Sequence, residues 1–162
     1  GGVVSRYTEP SQLGADRWAA LVGARTLHPA TCLVVTAGTA TTVDVLSAAG
    51  MFEGGLILPG FEMMRRALAG NTAGLAYAEG QAVEFPRNTA DAIYAGCIHA
   101  QAGAVERIYA RLRDPGTLCL VSGGAADIVA SHLGIPCRVV PNLVLEGLAC
   151  LTEAGPGQDA SP

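Results

Sequence analysis

The feature that most constrains the fold is a run of three apolar segments joined by two short turns between residues 32 and 58. Residues 32–35 are continuously apolar, which is typical of a buried strand. Residues 42–46 place threonine, aspartate and leucine on one face and two valines on the other, which indicates a half-buried strand. A third segment covers residues 52–58. The pattern predicts a three-stranded antiparallel meander.

Helical periodicity dominates the rest of the chain. We predict helices over residues 11–26, 59–68, 90–113, 125–133 and 142–151, and further strands at 117–121 and 137–140. Strands that alternate with helices join a sheet in parallel through right-handed crossovers. The predicted fold class is therefore α/β, an RNase H-like domain in which the antiparallel meander is extended by parallel strands with flanking helices.

Composition excludes several kinds of site. All ten basic residues are arginine, so a Walker-type phosphate loop and a lysine Schiff base are excluded. The net charge of −4, with scattered arginines, argues against direct binding to nucleic acid. Neither the five cysteines nor the three histidines have the spacing of metal ligands. Because the sequence contains neither a signal peptide nor a membrane span, we expect a cytoplasmic protein.

A carboxylate and a guanidinium stand side by side at Asp16 and Arg17, in the predicted first turn of a helix. Asp16 could serve as a base for phosphoryl transfer to an alcohol, and Arg17 could clamp a carboxylate or a phosphate. The alternative is that both are ordinary first-turn charges, with Asp16 complementing the helix dipole. Spacing alone leaves both interpretations open.

Two glycine-containing turns are candidates for a phosphate seat beside that base. Gly38 and Thr39 begin a small-residue loop whose N–H groups and hydroxyls could bind phosphate, although an ordinary hairpin turn explains the loop equally well. Gly123 and Gly124 stand between a strand and a helix, as an adenosine or phosphate shelf would, but ordinary turns share that arrangement. Thr89 opens the long helix, where a plain N-cap is the simpler interpretation.

Six segments in fixed order combine these features: Leu13–Trp18, Ala37–Asp44, Gly54–Gly60, Asn88–Ile93, Ser122–Ala126 and Pro141–Leu148. With them the chain resembles the type III pantothenate kinases of the actin-like ATPase superfamily, and within that group the Bvg accessory factors. The resemblance implies ATP-dependent phosphorylation of pantothenate to 4'-phosphopantothenate, the first step of coenzyme A biosynthesis. The alternative that it leaves open is a Bvg accessory factor, a regulator that supports virulence-gene transcription, with the kinase fold degenerate or secondary.

The resemblance also implies roles for single residues. Asp16 matches the catalytic base of the family. The residues that match the pantothenate pocket are Tyr7, Gly14, Ala15, Asp16 and Arg17, together with Thr89, which reaches the pocket from the partner subunit of a homodimer. Thr39 matches a residue that contacts ATP, and we expect Gly38, Gly123 and Gly124 to contribute to the same seat. The family uses Mg²⁺ with ATP and a monovalent cation, either potassium or ammonium.

The sequence departs from the family pattern in two places. Thr36 stands where the family usually has the aspartate that holds the monovalent cation, so we expect little dependence on potassium. The family's N-terminal domain, which carries another phosphate motif, is absent, so we expect this chain alone to be inactive. We expect residues 1–28 to form a linker and the first helix, residues 29–152 the RNase H-like domain, and residues 153–162 a disordered tail.

Overall fold

The computed structural model describes residues 2–71 and 79–153, in which six strands form one mixed sheet. The strands are β1 (Val4–Ser5), β2 (Cys32–Ala37), β3 (Ala40–Leu46), β4 (Met51–Pro59), β5 (Leu118–Ser122) and β6 (Cys137–Val139). The α-helices are α1 (Ala15–Leu27), α2 (Phe61–Asn71), α3 (Thr89–Tyr109), α4 (Ala126–Ala130) and α5 (Leu143–Glu153). A single turn of 3-10 helix covers Pro10–Gln12.

The strand order of the sheet is β1-β4-β3-β2-β5-β6. Strands β2, β3 and β4 are antiparallel neighbours, and β5 and β6 add in parallel beside β2. The predicted meander with parallel extensions is therefore confirmed. Strand β1 was not predicted, because two residues are too few to show the alternation of a strand. It pairs in parallel with Met51 and Phe52 of β4.

Two boundaries differ from the sequence-based prediction. Pro59, predicted to start a helix, instead ends β4 opposite Ala40, and α2 begins at Phe61. The N–H of Gly60 donates to the carbonyl oxygen of Thr39 at 2.8 Å, which ties this corner to the β2–β3 turn. The long helix α3 ends at Tyr109 rather than at residue 113, because the chain continues there in tight turns.

Alternating side chains on the strands build a core on each face of the sheet. Val34 and Leu120 point to the face that α1 and α5 cover. Leu33 and Val121 point to the opposite face, which is covered by α3 and α4, with α2 packed beside α3. In the described part of the chain, no helix is long and apolar enough to cross a membrane.

Helices α1 and α5 approach each other closely enough to require glycine. A Cβ at Gly147 would overlap the carbonyl oxygen of Ala19, and one at Gly23 would lie 2.6 Å from the carbonyl oxygen of Leu143. Because α1 is held in this way against the sheet, the position of its first turn is well defined. The predicted domain division at residue 28 stays a prediction, and the predicted tail beyond Glu153 lies outside the described residues.

Candidate active site

Arg17 lies in the first turn of α1 and is buried, with only 5% of its surface exposed. Its Nε donates to Oδ2 of Asp44 at 3.1 Å, and its Nη2 donates to Oδ1 of the same carboxylate at 2.5 Å. Its Nη1 donates to the hydroxyl oxygen of Tyr7 at 2.8 Å. Arg17 therefore joins α1 to β3 and to the segment that follows β1.

Aromatic rings complete the surroundings of this guanidinium. Its central carbon lies 5.5 Å from the ring centroid of Tyr7 and 5.6 Å from that of Phe52, within the range of cation–π attraction. The two rings also contact each other, with centroids 5.2 Å apart. Asp44 enters this cluster because Gly55, its partner on β4, has no side chain: a Cβ there would overlap Oδ1 of Asp44.

The charges of Arg17 and Asp44 depend on each other. Hydrogen bonds to Asp44 hold the pKa of the Arg17 guanidinium above its ordinary value. Burial raises the pKa of the Asp44 carboxyl, and the hydrogen bonds from Arg17 oppose that rise. A buried ion pair of this kind tolerates the loss of one partner poorly, because the other charge is left without compensation.

Asp16 is exposed and differs from its buried neighbour. Its Oδ1 accepts the backbone N–H of Arg17 at 2.8 Å, and its second oxygen accepts no hydrogen bond from the described residues. Gly14 precedes the helix, and a Cβ at that position would lie 2.7 Å from Oδ1 of Asp16. Exposed Ala15 stands between them as the first helical residue. The turn therefore orients one carboxylate and leaves an oxygen of it open to solvent.

The turn between β2 and β3 offers a ligand one free N–H group fewer than the sequence indicates. The N–H of Gly38 donates to the carbonyl oxygen of Ala40 at 3.0 Å and is therefore occupied. The exposed Thr39 uses neither its N–H nor its hydroxyl in a hydrogen bond with the rest of the described chain. Both residues line a cavity of about 430 Å³, together with Arg65, Tyr94 and other residues of α2, α3 and the β5–α4 turn.

The second glycine turn adjoins the first. Gly123 has a φ of 100°, which favours glycine, and a Cβ there would lie 2.5 Å from the carbonyl oxygen of Ala37. The same carbonyl accepts the N–H of Ala125 at 3.0 Å. Gly124 lines the 430 Å³ cavity with Thr39. The fold thus brings the two predicted parts of the phosphate seat together.

Thr36 lies in a row of hydroxyl-bearing residues, between Thr42 on β3 and Ser122 on β5. Thr36, Ser122, Gly123 and Gly124 line a second cavity of about 460 Å³. The oxygens of the row are neutral, and both oxygens of Asp44 accept hydrogen bonds from Arg17. Thr36 itself therefore offers only a neutral oxygen, and the carboxylate that lines this cavity is that of Asp127 in α4. No group of three metal-ligating side chains occurs within residues 2–71 and 79–153.

Thr89 begins α3, but Asn88 is the residue that caps the helix. The side-chain oxygen of Asn88 accepts the N–H of Asp91 at 2.9 Å. Thr89 is exposed and lines a mainly apolar cavity of about 920 Å³ between α2 and α3, together with Ile93 and Gly96. Capping therefore does not account for a threonine at this position.

Asp16 belongs to α1, whereas the phosphate turn joins β2 to β3. The Gly38–Thr39 cavity does not include Asp16. Asp44, the partner of Arg17, is four residues along β3 from Ala40, which corresponds to about 13 Å at ~3.3 Å per residue. The expected adjacency of Asp16 and the phosphate seat therefore stays a prediction.

The sequence analysis missed the joining role of Asp44 and Phe52. Strand alternation places Asp44 on the same face as Thr42, and that signal was available in the sequence. Its pairing with Arg17, 27 residues away, has no local signal.

Comparison with known proteins identifies the family. The family model of the type III pantothenate kinases matches residues 1–111. A type III pantothenate kinase of Aromatoleum aromaticum is 64% identical over 149 residues, which cover 91% of this chain and 62% of the relative. One from Azoarcus sp. is 55% identical, covering 99% of this chain and 62% of that protein. The chain thus spans about 62% of the length of these curated relatives.

A solved structure supports the fold. A Baf family transcriptional activator from Campylobacter jejuni superimposes with a TM-score of 0.64 at 25% identity, covering 92% of this chain and 68% of that protein. The similarity fits an actin-like ATPase fold, as the sequence predicts. The family model matches more than half of this chain. The chain therefore belongs to the type III pantothenate kinase family.

Proposed function

We propose that the full-length gene product phosphorylates pantothenate with ATP, and so catalyses the first step of coenzyme A biosynthesis. The observation that carries this proposal is the open carboxylate of Asp16, oriented by its own helix turn in a chain of this family. Since the chain spans about 62% of its relatives, we expect it to be inactive by itself. ATP as the donor makes the cytoplasm the expected compartment.

In the proposed reaction, the free oxygen of Asp16 takes the proton from the primary alcohol of pantothenate. The alcohol oxygen then forms a bond to the γ-phosphorus of ATP, while the bond from that phosphorus to the bridging oxygen breaks and ADP leaves. General-base catalysis of this kind typically contributes about 10²–10⁴-fold to a rate. Tyr7, Gly14, Ala15 and Arg17 belong to the proposed pantothenate pocket.

The nucleotide seat is proposed at the two adjoining turns. Thr39 offers an N–H and a hydroxyl that bond to no other described residue, while Gly38, Gly123 and Gly124 let a phosphate approach the backbone closely. ATP arrives as its magnesium complex, in which the phosphates carry the ion. No step is assigned to a monovalent cation, because Thr36 supplies a neutral oxygen at the position expected to hold it.

The proposed homodimer involves the N-terminal part of α3. Support comes from Thr89, which is exposed beside a large and mainly apolar cavity, and from the small residues Gly96 and Ala100 that line it. In this arrangement Thr89 contacts pantothenate bound to the partner subunit. A monomeric mass at high protein concentration would argue against it.

Regulation as a Bvg accessory factor remains the second candidate, favoured by the structural similarity to a Baf family transcriptional activator and by Thr36. Turnover distinguishes the two functions. We expect the full-length protein to release ADP from ATP only when pantothenate is present. A regulator with a degenerate kinase fold would release none above background.

The variant Asp16→Asn tests the proposed base. We expect kcat to fall by at least 100-fold with the melting temperature almost unchanged, because Asp16 is exposed. Glu146→Gln is the matched control, since Glu146 is another exposed carboxylate in the first turn of a helix, α5. If the two variants lower kcat equally, Asp16 acts only as a charge that complements the helix dipole and not as the base.

A further inference from the structure

We infer that Asp44 is a positioning residue of the pantothenate site, which acts through Arg17 to hold the hydroxyl of Tyr7 as a hydrogen-bond donor toward the substrate. This inference rests on the proposed function and adds a residue to it. Asp44 itself is buried, with 1% of its surface exposed, and therefore acts without touching the substrate.

Arg17 is better placed to hold protein groups than to clamp a ligand. Three of its five N–H donors are used by Asp44 and Tyr7. The guanidinium is packed beside the rings of Tyr7 and Phe52 and has almost no exposed surface. Its positive charge is matched by Asp44, so a substrate anion gains little from approaching it. Its effect on a ligand is therefore exerted through Tyr7.

The contact with Arg17 determines which way the Tyr7 hydroxyl can act. A guanidinium donates hydrogen bonds and accepts none, so the phenol oxygen must be the acceptor in this contact. The hydroxyl hydrogen is then directed elsewhere, and no acceptor for it exists among the described residues. Tyr7 is half-buried, so its hydroxyl can reach a ligand. Its partner must offer an acceptor oxygen, such as the carboxylate or amide carbonyl of pantothenate.

Asp44 keeps Arg17 in this orientation. The two hydrogen bonds to one carboxylate define the plane of the guanidinium, and with it the direction of Nη1. Gly55 gives the carboxylate its space, because any side chain there would overlap it. Without the second carboxylate oxygen, the guanidinium is free to rotate away from Tyr7.

A double-mutant cycle in the full-length protein tests this chain of contacts. We expect Tyr7→Phe to raise the KM for pantothenate about tenfold through loss of one hydrogen bond, with kcat and the KM for ATP changed less than twofold. Asp44→Asn should raise the same KM to a similar extent in the presence of Tyr7. In the Tyr7→Phe background it should change that KM less than twofold, because the contact through which it acts is gone.

Stability effects are separated from positioning by two further variants. Glu53→Gln breaks the exposed pair with Arg6, which directly follows β1, and should leave the KM unchanged. If Asp44→Asn fails to fold, the double variant Asp44→Asn/Arg17→Gln replaces it, since that change leaves no buried charge unpaired. Adding Tyr7→Phe to the double variant should then have less than a twofold effect.

The outcomes separate the inference from the function on which it rests. If the fold-changes in KM caused by Asp44→Asn and Tyr7→Phe simply multiply in the double variant, the inference is overturned, while the proposed kinase activity is unaffected. A wild-type protein that neither turns over pantothenate nor binds it in calorimetry would overturn both.

Discussion

The packing of α1 on α5 leads to a sharp prediction for Gly147→Ala. The added Cβ would lie 2.6 Å from the carbonyl carbon of Ala19 and 3.0 Å from the backbone nitrogen of Gly23, in addition to overlapping the Ala19 oxygen. All of these atoms belong to the backbone of α1, so no side-chain rotation relieves the overlap. The two helices must therefore move apart.

The size of the effect follows from two opposing contributions. Ordinary contact begins near 3.4 Å, and the Ala19 oxygen is the nearest atom, so the helices must separate by well over 1 Å at this crossing. Such overpacking typically costs about 1–3 kcal/mol, and alanine returns at most about 1 kcal/mol through its better helix propensity. Because the contact is between backbones, we expect the upper part of that range and a net loss of about 2 kcal/mol. That loss corresponds to a melting temperature lower by about 4–8 °C.

Urea unfolding followed by circular dichroism measures this loss. Gly103→Ala in α3 is the matched control, because a Cβ there has no atom within 4 Å and the residue is exposed. We expect the control to raise the free energy of unfolding by about 0.5–1 kcal/mol. If Gly147→Ala is as stable as Gly103→Ala, the close approach of α1 and α5 is not a feature of the folded protein.

Three further predictions concern the hydroxyl row and the buried thiols. Thr36→Asp should make the kinase rate rise with potassium, whereas the unsubstituted protein should respond little; a potassium titration with equal responses in both would contradict this. Burial raises the pKa of Cys32 and of Cys119 to about 12, so iodoacetamide at pH 8 should modify both far more slowly than the less buried Cys150. Peptide mass spectrometry measures this, and equal labelling before unfolding would refute it. The same thiols ionise near pH 9 in the unfolded chain and near pH 12 in the folded protein. Between these pH values only the unfolded chain loses the protons, so the free energy of unfolding should fall as pH rises from about 9 toward 12.

The local pattern of apolar and polar residues was sufficient to predict most of the strands and helices. Alternation in residues 42–46 and the small turn before them predicted the meander, and helical spacing predicted α3 and α5. These features depend on residues a few positions apart, where periodicity and turn chemistry act directly. The ordered motifs were sufficient for the family as well. The end of β4 was missed because a proline suits both a helix start and a strand end.

Only the tertiary structure decided what the charged residues of the candidate site do. The sequence by itself offered Arg17 as a ligand clamp, whereas the fold buries it against Asp44 and Tyr7 and leaves the neighbouring Asp16 open. Adjacent residues on a helix point in directions about 100° apart, so one meets the sheet while the other meets solvent. Which carboxylate a buried guanidinium meets depends on how α1 crosses β3, and that crossing is set by contacts with α5 at the far end of the chain.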